Sequence, residues 1–293
     1  MRYLDPKADL TFKKIFGEHP DLIVSLINAL LPDNTPTVKE VEYLPTELVP
    51  DTPLRKNSIV DVRCRDVDGR QFLVEMQMIW SPEFKQRVLF NASKAYVRQL
   101  DSSENYRMLQ PVYSINLVNE IFEPDITEFY HNYALVHELY TDKVIEGLHL
   151  IFVELPKFHP RNYGERRMRV LWLRFLTEIN EKTRYAPEEL LADPEVSRAL
   201  QVVEESAFDE VQMAQYDKFW DIVRVERTHI AHAEERGVAR GIAQGIAQGI
   251  AQGITQGRTE REMEIVRKMK AAGMSADAIA QITGLSVQTI ERL

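Results

Sequence analysis

The sequence predicts an α/β fold whose first elements follow the order αβββαβ, followed by an all-helical C-terminal region. Short apolar runs of strand length occur between residues 37 and 118. Amphipathic helical patterns precede and separate these runs, as in folds that pack helices on a sheet. From about residue 165 the periodicity is helical to the end of the chain.

The elements can be placed in order along the chain. The expected elements are one or two helices within 12–31, a strand at 37–48, two strands within 61–78, a helix at 81–105, a buried strand at 110–118 and further strands at 132–140 and 147–154. Ser81 and Pro82 resemble an N-cap followed by a first-turn proline, so we expect the helix to begin there. The domains expected are an α/β core (1–160), a helical extension (161–236), a tetrapeptide repeat (237–257) and a helical tail (258–293).

Composition places this chain of 293 residues among soluble globular proteins, with 44% hydrophobic and 28% charged residues. No run reaches the roughly 18 apolar residues of a membrane span, so we expect no membrane partner. The N-terminal residues show neither an apolar segment nor a small-residue cleavage site, so we expect no secretory signal. A single cysteine, Cys64, excludes an intrachain disulfide and is typical of a cytoplasmic protein.

The net charge of −9 disfavours binding to nucleic acid through a general basic field. Residues 231–293 contain eight Lys and Arg and seven Asp and Glu, a balance of +1, so residues 1–230 carry −10. Any contact with DNA must therefore use local patches, such as residues 161–169, or bound metal ions.

The segment 237–257 repeats glycine at every fourth residue, with the sequence GIAQ at its centre. Each glycine costs a helix about 1 kcal/mol relative to alanine, so an isolated helix here would be unstable. The segment is either a flexible linker or a helix packed against a partner, since small residues four apart let backbones approach closely. We favour the packed helix and expect a homodimer formed through the C-terminal helices.

The last segment, 274–293, has the spacing of a helix-turn-helix. Ala280 is the small residue at the helix contact, Gly284 the turn glycine, Ile290 a core position and Ser286 an N-cap. Two interpretations stay open. The second helix reads DNA through its few polar groups, or the segment is a small helical bundle that caps or dimerises the protein.

The stretch 61–78 contains two carboxylates in an apolar context. Val67-Asp68-Gly69 is a three-residue hairpin loop with glycine where a positive φ is needed, and it pairs Asp61 with Glu75. Directly opposed residues have Cβ atoms about 5 Å apart, and Gln77 shares the face of Glu75. Two carboxylates and an amide oxygen form a ligand set suited to Mg²⁺, Mn²⁺ or Ca²⁺. The alternative is an ordinary hairpin pair neutralised by Arg63 or Lys85.

Asp61 followed by Glu75-x-Gln77, on a hairpin within an αβββαβ order, resembles the PD-(D/E)XK nuclease superfamily. More narrowly, the chain is similar to the Rpn family of recombination-promoting nucleases and transposases, a likeness that also includes residues 9–17, Arg87, Tyr96 and the C-terminal repeat and tail. The resemblance implies a restriction-endonuclease-like core with a mixed sheet, in which Asp61 and Glu75 bind a divalent metal for cleavage of DNA.

One departure from the superfamily matters: Gln77 replaces its lysine, although Glu-x-Gln is the form typical of the narrower family. Glutamine carries no charge and takes up no proton, so another residue must do the lysine's work or the reaction must dispense with it. Lys85, Arg87 and Lys94 on the following helix are the possible substitutes, and Tyr96 and Asp9 are further supporting candidates. Three functions are consistent with these features: a metal-dependent DNA endonuclease, an inactive scaffold of the same fold that binds DNA or protein, and a transposase-like recombination factor.

Overall fold

The computed structural model describes residues 2–33, 35–48, 58–101, 103–159 and 167–292, and it divides into two compact units at Val225. The strands are β1 (Val41–Tyr43), β2 (Glu47–Leu48), β3 (Ser58–Ile59), β4 (Val62–Asp66), β5 (Gln71–Gln77), β6 (Val112–Val118), β7 (Tyr130–His137) and β8 (Tyr140–Glu154). The α-helices are α1 (Asp9–Phe16), α2 (Pro20–Leu30), α3 (Phe84–Val97), α4 (Arg167–Glu178), α5 (Glu188–Leu191), α6 (Pro194–Val202), α7 (Glu210–Ala271), α8 (Ala276–Thr283) and α9 (Val287–Glu291).

The first unit is built on a six-stranded mixed sheet with the strand order β1-β4-β5-β6-β8-β7. Strands β5, β6 and β8 run parallel, whereas β1 and β4 on one side and β7 on the other pair antiparallel with their neighbours. Strands β2 and β3 form a separate two-stranded ribbon. The predicted α/β class is confirmed, and so is the αβββαβ order when the elements of the main sheet are taken without the β2–β3 ribbon.

Helices cover both faces of the sheet. Helices α1, α2, α4 and α6 pack on one face, and their largest buried side chains include Phe12, Phe16, Trp172 and Phe175. Helix α3 covers the opposite face through Val88, Ala92 and Ala95. Strand β6 lies between two parallel neighbours and is buried along its whole length, which explains its continuous apolar sequence.

The first turns of α7 also belong to this unit. Tyr216 is buried, and its hydroxyl accepts a hydrogen bond from the Asp5 amide at 2.8 Å and donates one to Glu181 at 2.8 Å. Val223 packs against Met78 and Ile79, the two residues that follow β5. The beginning of α7 is therefore part of the core.

A buried ion pair closes the hairpin that joins β4 to β5. The Asp66 carboxylate accepts hydrogen bonds from the Arg70 amide and Nε at 2.9 and 2.7 Å, and Gly69 has a φ of +85° in the turn. Val62 lies opposite Val74 in the resulting register. One step outward, the same register sets Asp61 opposite Glu75, as the sequence predicts.

Two element boundaries differ from the predictions. The single strand expected at 37–48 is divided into β1 and β2, which lie in different sheets. Pro45 lies at the break, because it has no N–H to continue the ladder. The helix expected at 81–105 begins at Phe84 and ends at Val97. Ser81 and Pro82 instead form a turn in which the Phe84 amide donates to the Ser81 carbonyl.

The hairpin of β7 and β8 is longer than predicted, since β8 begins at Tyr140 rather than at residue 147. Most of the basic patch expected at 161–169 lies outside the described residues. Its last residue, Arg169, donates to the carbonyls of Ala29 and Leu31 and stacks on Tyr130. Arg169 is therefore used within the fold.

The second unit has a small core in which Val266 of α7 packs with Ile279 of α8 and Ile290 of α9. Gly284 ends α8 with a φ of +75°, and Ser286 caps α9 by accepting a hydrogen bond from the Thr289 amide at 3.2 Å. These positions match the helix-turn-helix spacing seen in the sequence. The spacing defines a local fold and does not distinguish DNA binding from a capping bundle.

The glycine repeat forms part of the continuous helix α7. Ile242, Ile246, Ile250 and Ile254 are 58–68% exposed. A Cβ built on any of the six repeat glycines meets no atom within 4 Å among the described residues. Of the helices in the described ranges, none is long and apolar enough to cross a bilayer.

The Asp66–Arg70 pair leads to a prediction about stability. We expect Asp66→Ala to lower the free energy of unfolding by about 3 kcal/mol or more, because the buried Arg70 charge then has, among the described carboxylates, only that of the exposed Asp68, 3.9 Å away. Asp68→Ala in the same loop is the matched control, since the Asp68 side chain is exposed, and it should cost less than about 1 kcal/mol. Urea denaturation measures both. Equal losses in the two variants would contradict a structural role for the buried pair.

Candidate active site

The β4–β5 hairpin, β3 and helix α3 line an open cavity of about 830 Å³. Asp61 immediately precedes β4, and Glu75 and Gln77 lie at the end of β5. The cavity residues of α3 that approach these side chains are Arg87, Phe90 and Asn91. The structure therefore brings together the three residues that the sequence identified as the catalytic set.

Glu75 is buried and only loosely bonded. Asn91 donates to its Oε1 at 3.3 Å, and Arg87 donates to its Oε2 at 3.5 Å. Both distances are long for a hydrogen bond to a carboxylate. Burial raises the pKa of Glu75 to about 7; the positive charge of Arg87 opposes this shift, and the negative charge of Asp61 adds to it. A cation at this place would therefore stabilise the ionised carboxylate.

Asp61 is more accessible, with its side chain 24% exposed. Its Oδ2 accepts a hydrogen bond from the Met76 amide at 2.8 Å, and its Oδ1 lies 3.9 Å from Lys13 Nζ. Burial raises the pKa of Asp61, while the Met76 amide and Lys13 lower it. Lys13 also pairs with Asp9 at 2.6 Å, so Asp9 borders the site through this lysine.

Arg87 connects Glu75 and Gln77 of β5. Its guanidinium donates to Gln77 Oε1 at 2.7 Å as well as to Glu75, and it lies 4.7 Å from the centre of the Phe84 ring. The ring supports the flat face of the guanidinium, and the two acceptors bind its edge. Arg87 thus places a positive charge beside Gln77, the position at which the resemblance implies a lysine.

The side chains of the other supporting candidates on α3 contact other parts of the fold and not the two carboxylates. Lys85 pairs with Glu123, close to the rings of Phe122 and Tyr133. Lys94 donates to the Leu48 carbonyl at 2.8 Å. The Tyr96 hydroxyl lies where a Cβ added at Gly147 would be 3.2 Å away, so Tyr96 packs on β8. Of the three cations considered as substitutes for the lysine, Arg87 is the one that the structure brings to the carboxylates.

The cations nearest to Asp61 and Glu75 are also different from the two expected for an ordinary hairpin pair. Arg63 donates to Gln71 Oε1 at 3.1 Å and to the Pro45 carbonyl at 3.3 Å, and Lys85 is held by Glu123. Instead, Lys13 of α1 approaches Asp61, and Arg87 of α3 approaches Glu75.

Asn91 is a site residue that sequence reasoning missed. It lies one helical turn after Arg87, and this i, i+4 spacing is the signal that could have identified it. Its Nδ2 bonds to Glu75, while its Oδ1 is buried without a hydrogen-bond partner among the described residues. Such an oxygen is unusual in a folded protein and marks a place where a polar ligand or cation would fit.

The donor set suits a hard divalent cation. No group of three His, Cys, Asp or Glu side chains with metal-binding geometry occurs among the described residues. The site provides two carboxylates, from Asp61 and Glu75, with the amide oxygens of Gln77 and Asn91 nearby. Such a cation takes oxygen ligands from carboxylates, amides and water, so two carboxylates are a sufficient protein contribution.

The raised pKa of Glu75 predicts a pH-dependent loss of stability in the metal-free protein. The folded state favours the protonated carboxyl, so ionisation of Glu75 destabilises the folded protein. This destabilisation is absent below pH 4.5 and fully present above about pH 7. We therefore expect the unfolding free energy of the wild type, relative to Glu75→Gln, to fall by a few kcal/mol between pH 5 and pH 8. Urea unfolding in EDTA at several pH values measures this difference.

Glu83→Gln provides the control for that experiment, because Glu83 is an exposed carboxylate at the rim of the same cavity. Its difference from the wild type should stay nearly constant with pH. The assignment is contradicted if Glu75→Gln behaves in the same way as Glu83→Gln.

Comparison with known protein families gives a match that covers this part of the chain. The family model described as "PD-(D/E)XK nuclease family transposase" matches residues 6–232, which include the whole site and end before the glycine repeat. Neither the curated proteins nor the solved structures compared with the chain include a match. The family model covers well over half of the sequence, and the chain therefore belongs to the PD-(D/E)XK nuclease family transposases.

Proposed function

We propose that this protein is a divalent-metal-dependent DNA endonuclease. The observation that carries the proposal is the buried Glu75 carboxylate, which faces Asp61 across the hairpin and has only long contacts to Asn91 and Arg87. Burying a carboxylate so loosely is costly unless a cation completes its surroundings. A family of nucleases supplies the reaction for which such a cation is used.

The side chains have distinct roles in this proposal. Asp61 and Glu75 would hold the metal, whose chemistry is to lower the pKa of a bound water and to polarise the phosphate. Asn91 and the Met76 amide orient the two carboxylates. Gln77 keeps Arg87 in place through its amide oxygen.

Arg87 takes over the electrostatic part of the missing lysine's work. A guanidinium stays charged at all working pH values and binds phosphate oxygens in pairs. Nearly half of its side chain is exposed, so it can turn from Glu75 toward a phosphate in the cavity. A charge placed there stabilises the additional negative charge of the transition state. A guanidinium has only hydrogen-bond donors and no acceptor, so Arg87 does not supply a general base.

A scaffold without catalytic activity is the second candidate function. Its support is Arg87 itself, which bridges Glu75 and Gln77 and already supplies a positive charge at the carboxylates. Either function, cleavage or binding, could serve to promote recombination or transposition. Cleavage of DNA separates the two candidates.

Plasmid cleavage and thermal unfolding together test the proposal. We expect supercoiled plasmid to be nicked or linearised with Mg²⁺, Mn²⁺ or Ca²⁺ and to stay intact in EDTA. Asp61→Ala and Glu75→Ala should abolish cleavage without loss of folding, because removing one of two facing carboxylates relieves repulsion. The same metal should raise the melting temperature of the wild type and of Asp68→Ala, but not that of Asp61→Ala. Equal stabilisation of all three proteins would overturn the metal assignment.

We also infer that two chains associate through the glycine repeat. Six glycines cost α7 roughly 6 kcal/mol relative to alanine. Burial of the four isoleucines at 242, 246, 250 and 254 offers roughly 1.5 kcal/mol each, which is comparable. A second copy of the same segment supplies a matching apolar stripe with room for close backbone approach, in a two-fold contact.

Truncation tests this association. We expect a chain ending after Arg236 to be a monomer that still folds and still gains thermal stability from metal, because the removed residues lie in the second unit. Full-length protein should be a dimer at micromolar concentration. Light scattering of both proteins provides the measurement. A full-length monomer, or a dimer that survives truncation, would show that the repeat is not the dimerising element.

A further inference from the structure

The cavity that holds the carboxylates also has an apolar rim. Phe90 on α3 is 44% exposed and Ile59 on β3 is 64% exposed, and both line the same cavity as Asp61 and Glu75. A site that bound only phosphate would have charged and polar groups at this position. The exposed ring and the aliphatic side chain are suited to a flat, partly apolar group.

Phe90 lies beside the residues that would act on a phosphate. It lies three residues after Arg87 and next to Asn91, so one face of α3 presents all three to the cavity. Lys94, one turn further, lies 5.1 Å from the centre of the ring and is itself fixed by its hydrogen bond to the Leu48 carbonyl. The ammonium of Lys94 therefore lies over one face of the ring, and much of the ring remains exposed.

The charges around the cavity are unfavourable for an approaching duplex. The ionisable residues in the described lining are Asp61, Glu75 and Glu83 against Arg87. The whole chain carries −9. A DNA duplex adds one negative charge for about every 1.7 Å of its length, and its bases are stacked so that their faces are closed to Phe90. A single strand has fewer charges per length and presents open base faces.

We propose that this cavity binds an unpaired base of single-stranded DNA, stacked on Phe90, beside the phosphate that Asp61, Glu75 and Arg87 would act on. The inference rests on the proposed function, because it names the substrate class of the same site. Stacking on an aromatic side chain accepts any base, so it selects strand state rather than sequence. The cavity of about 830 Å³ is large enough to hold a base that has left the stack of its neighbours.

Binding measurements in EDTA keep this inference separate from catalysis. The probe is a fluorescent oligodeoxythymidylate of about 20 nucleotides, compared with a duplex of the same length by anisotropy. We expect the wild type to bind the single strand more tightly than the duplex. Phe90→Ala should weaken single-strand binding roughly tenfold and leave duplex binding unchanged, because one stacked base is lost. Phe90→Trp should retain the affinity.

Leu89→Ala is the matched control, because Leu89 is the neighbouring residue, is 46% exposed and does not line the cavity. It should leave both affinities unchanged. An unchanged melting temperature of Phe90→Ala shows that the variant is folded. The inference is overturned by tighter binding of duplex, by equal losses for both probes in Phe90→Ala, or by a loss in Leu89→Ala of the same size.

Discussion

A shift of one residue between β4 and β5 would turn Asp61 to the face of the sheet opposite to Glu75, because side chains alternate along a strand. The pairing of Val62 with Val74 excludes this shift, and the buried Asp66–Arg70 pair at the turn fixes the register from the other end. The cavity, the raised pKa of Glu75 and the approach of Arg87 all depend on this single register. A charge pair remote from the site therefore helps to fix the register in which the two carboxylates face each other.

The electrostatic support of the site comes from both sides of the hairpin. Lys13 on α1 approaches Asp61, and Arg87 on α3 approaches Glu75. Neither contact is close enough to compensate fully for burial, since the pKa values of both carboxyl groups remain raised. Ionisation of the two acidic groups is therefore unfavourable in this fold, and a divalent cation would make it favourable. The sheet below them remains packed.

The sequence predicts the parts of this structure that depend on local spacing. A three-residue loop and strand alternation are enough to set Asp61 against Glu75, and the continuous apolar run identifies β6 as a central strand. The roles of α3 could not be obtained in this way. Whether Arg87 or Lys85 reaches the carboxylates depends on how the helix is rotated on the sheet, which long-range packing decides. The break at Pro45 was not predicted, although a proline inside a strand pattern is the signal for such a break, and no sequence pattern indicated the separate ribbon of β2 and β3.

The long helix α7 begins as a piece of the core, with Tyr216 buried between Asp5 and Glu181 and Val223 packed on the residues that follow β5. Its exposed glycine repeat begins about four turns later. A protease that cleaved within the repeat would thus release a fragment whose core is complete, with Met78 and Ile79 still covered. A boundary drawn at the start of the helix would instead strip the support from the segment next to Gln77. In this chain the secondary-structure element and the folding unit end at different places.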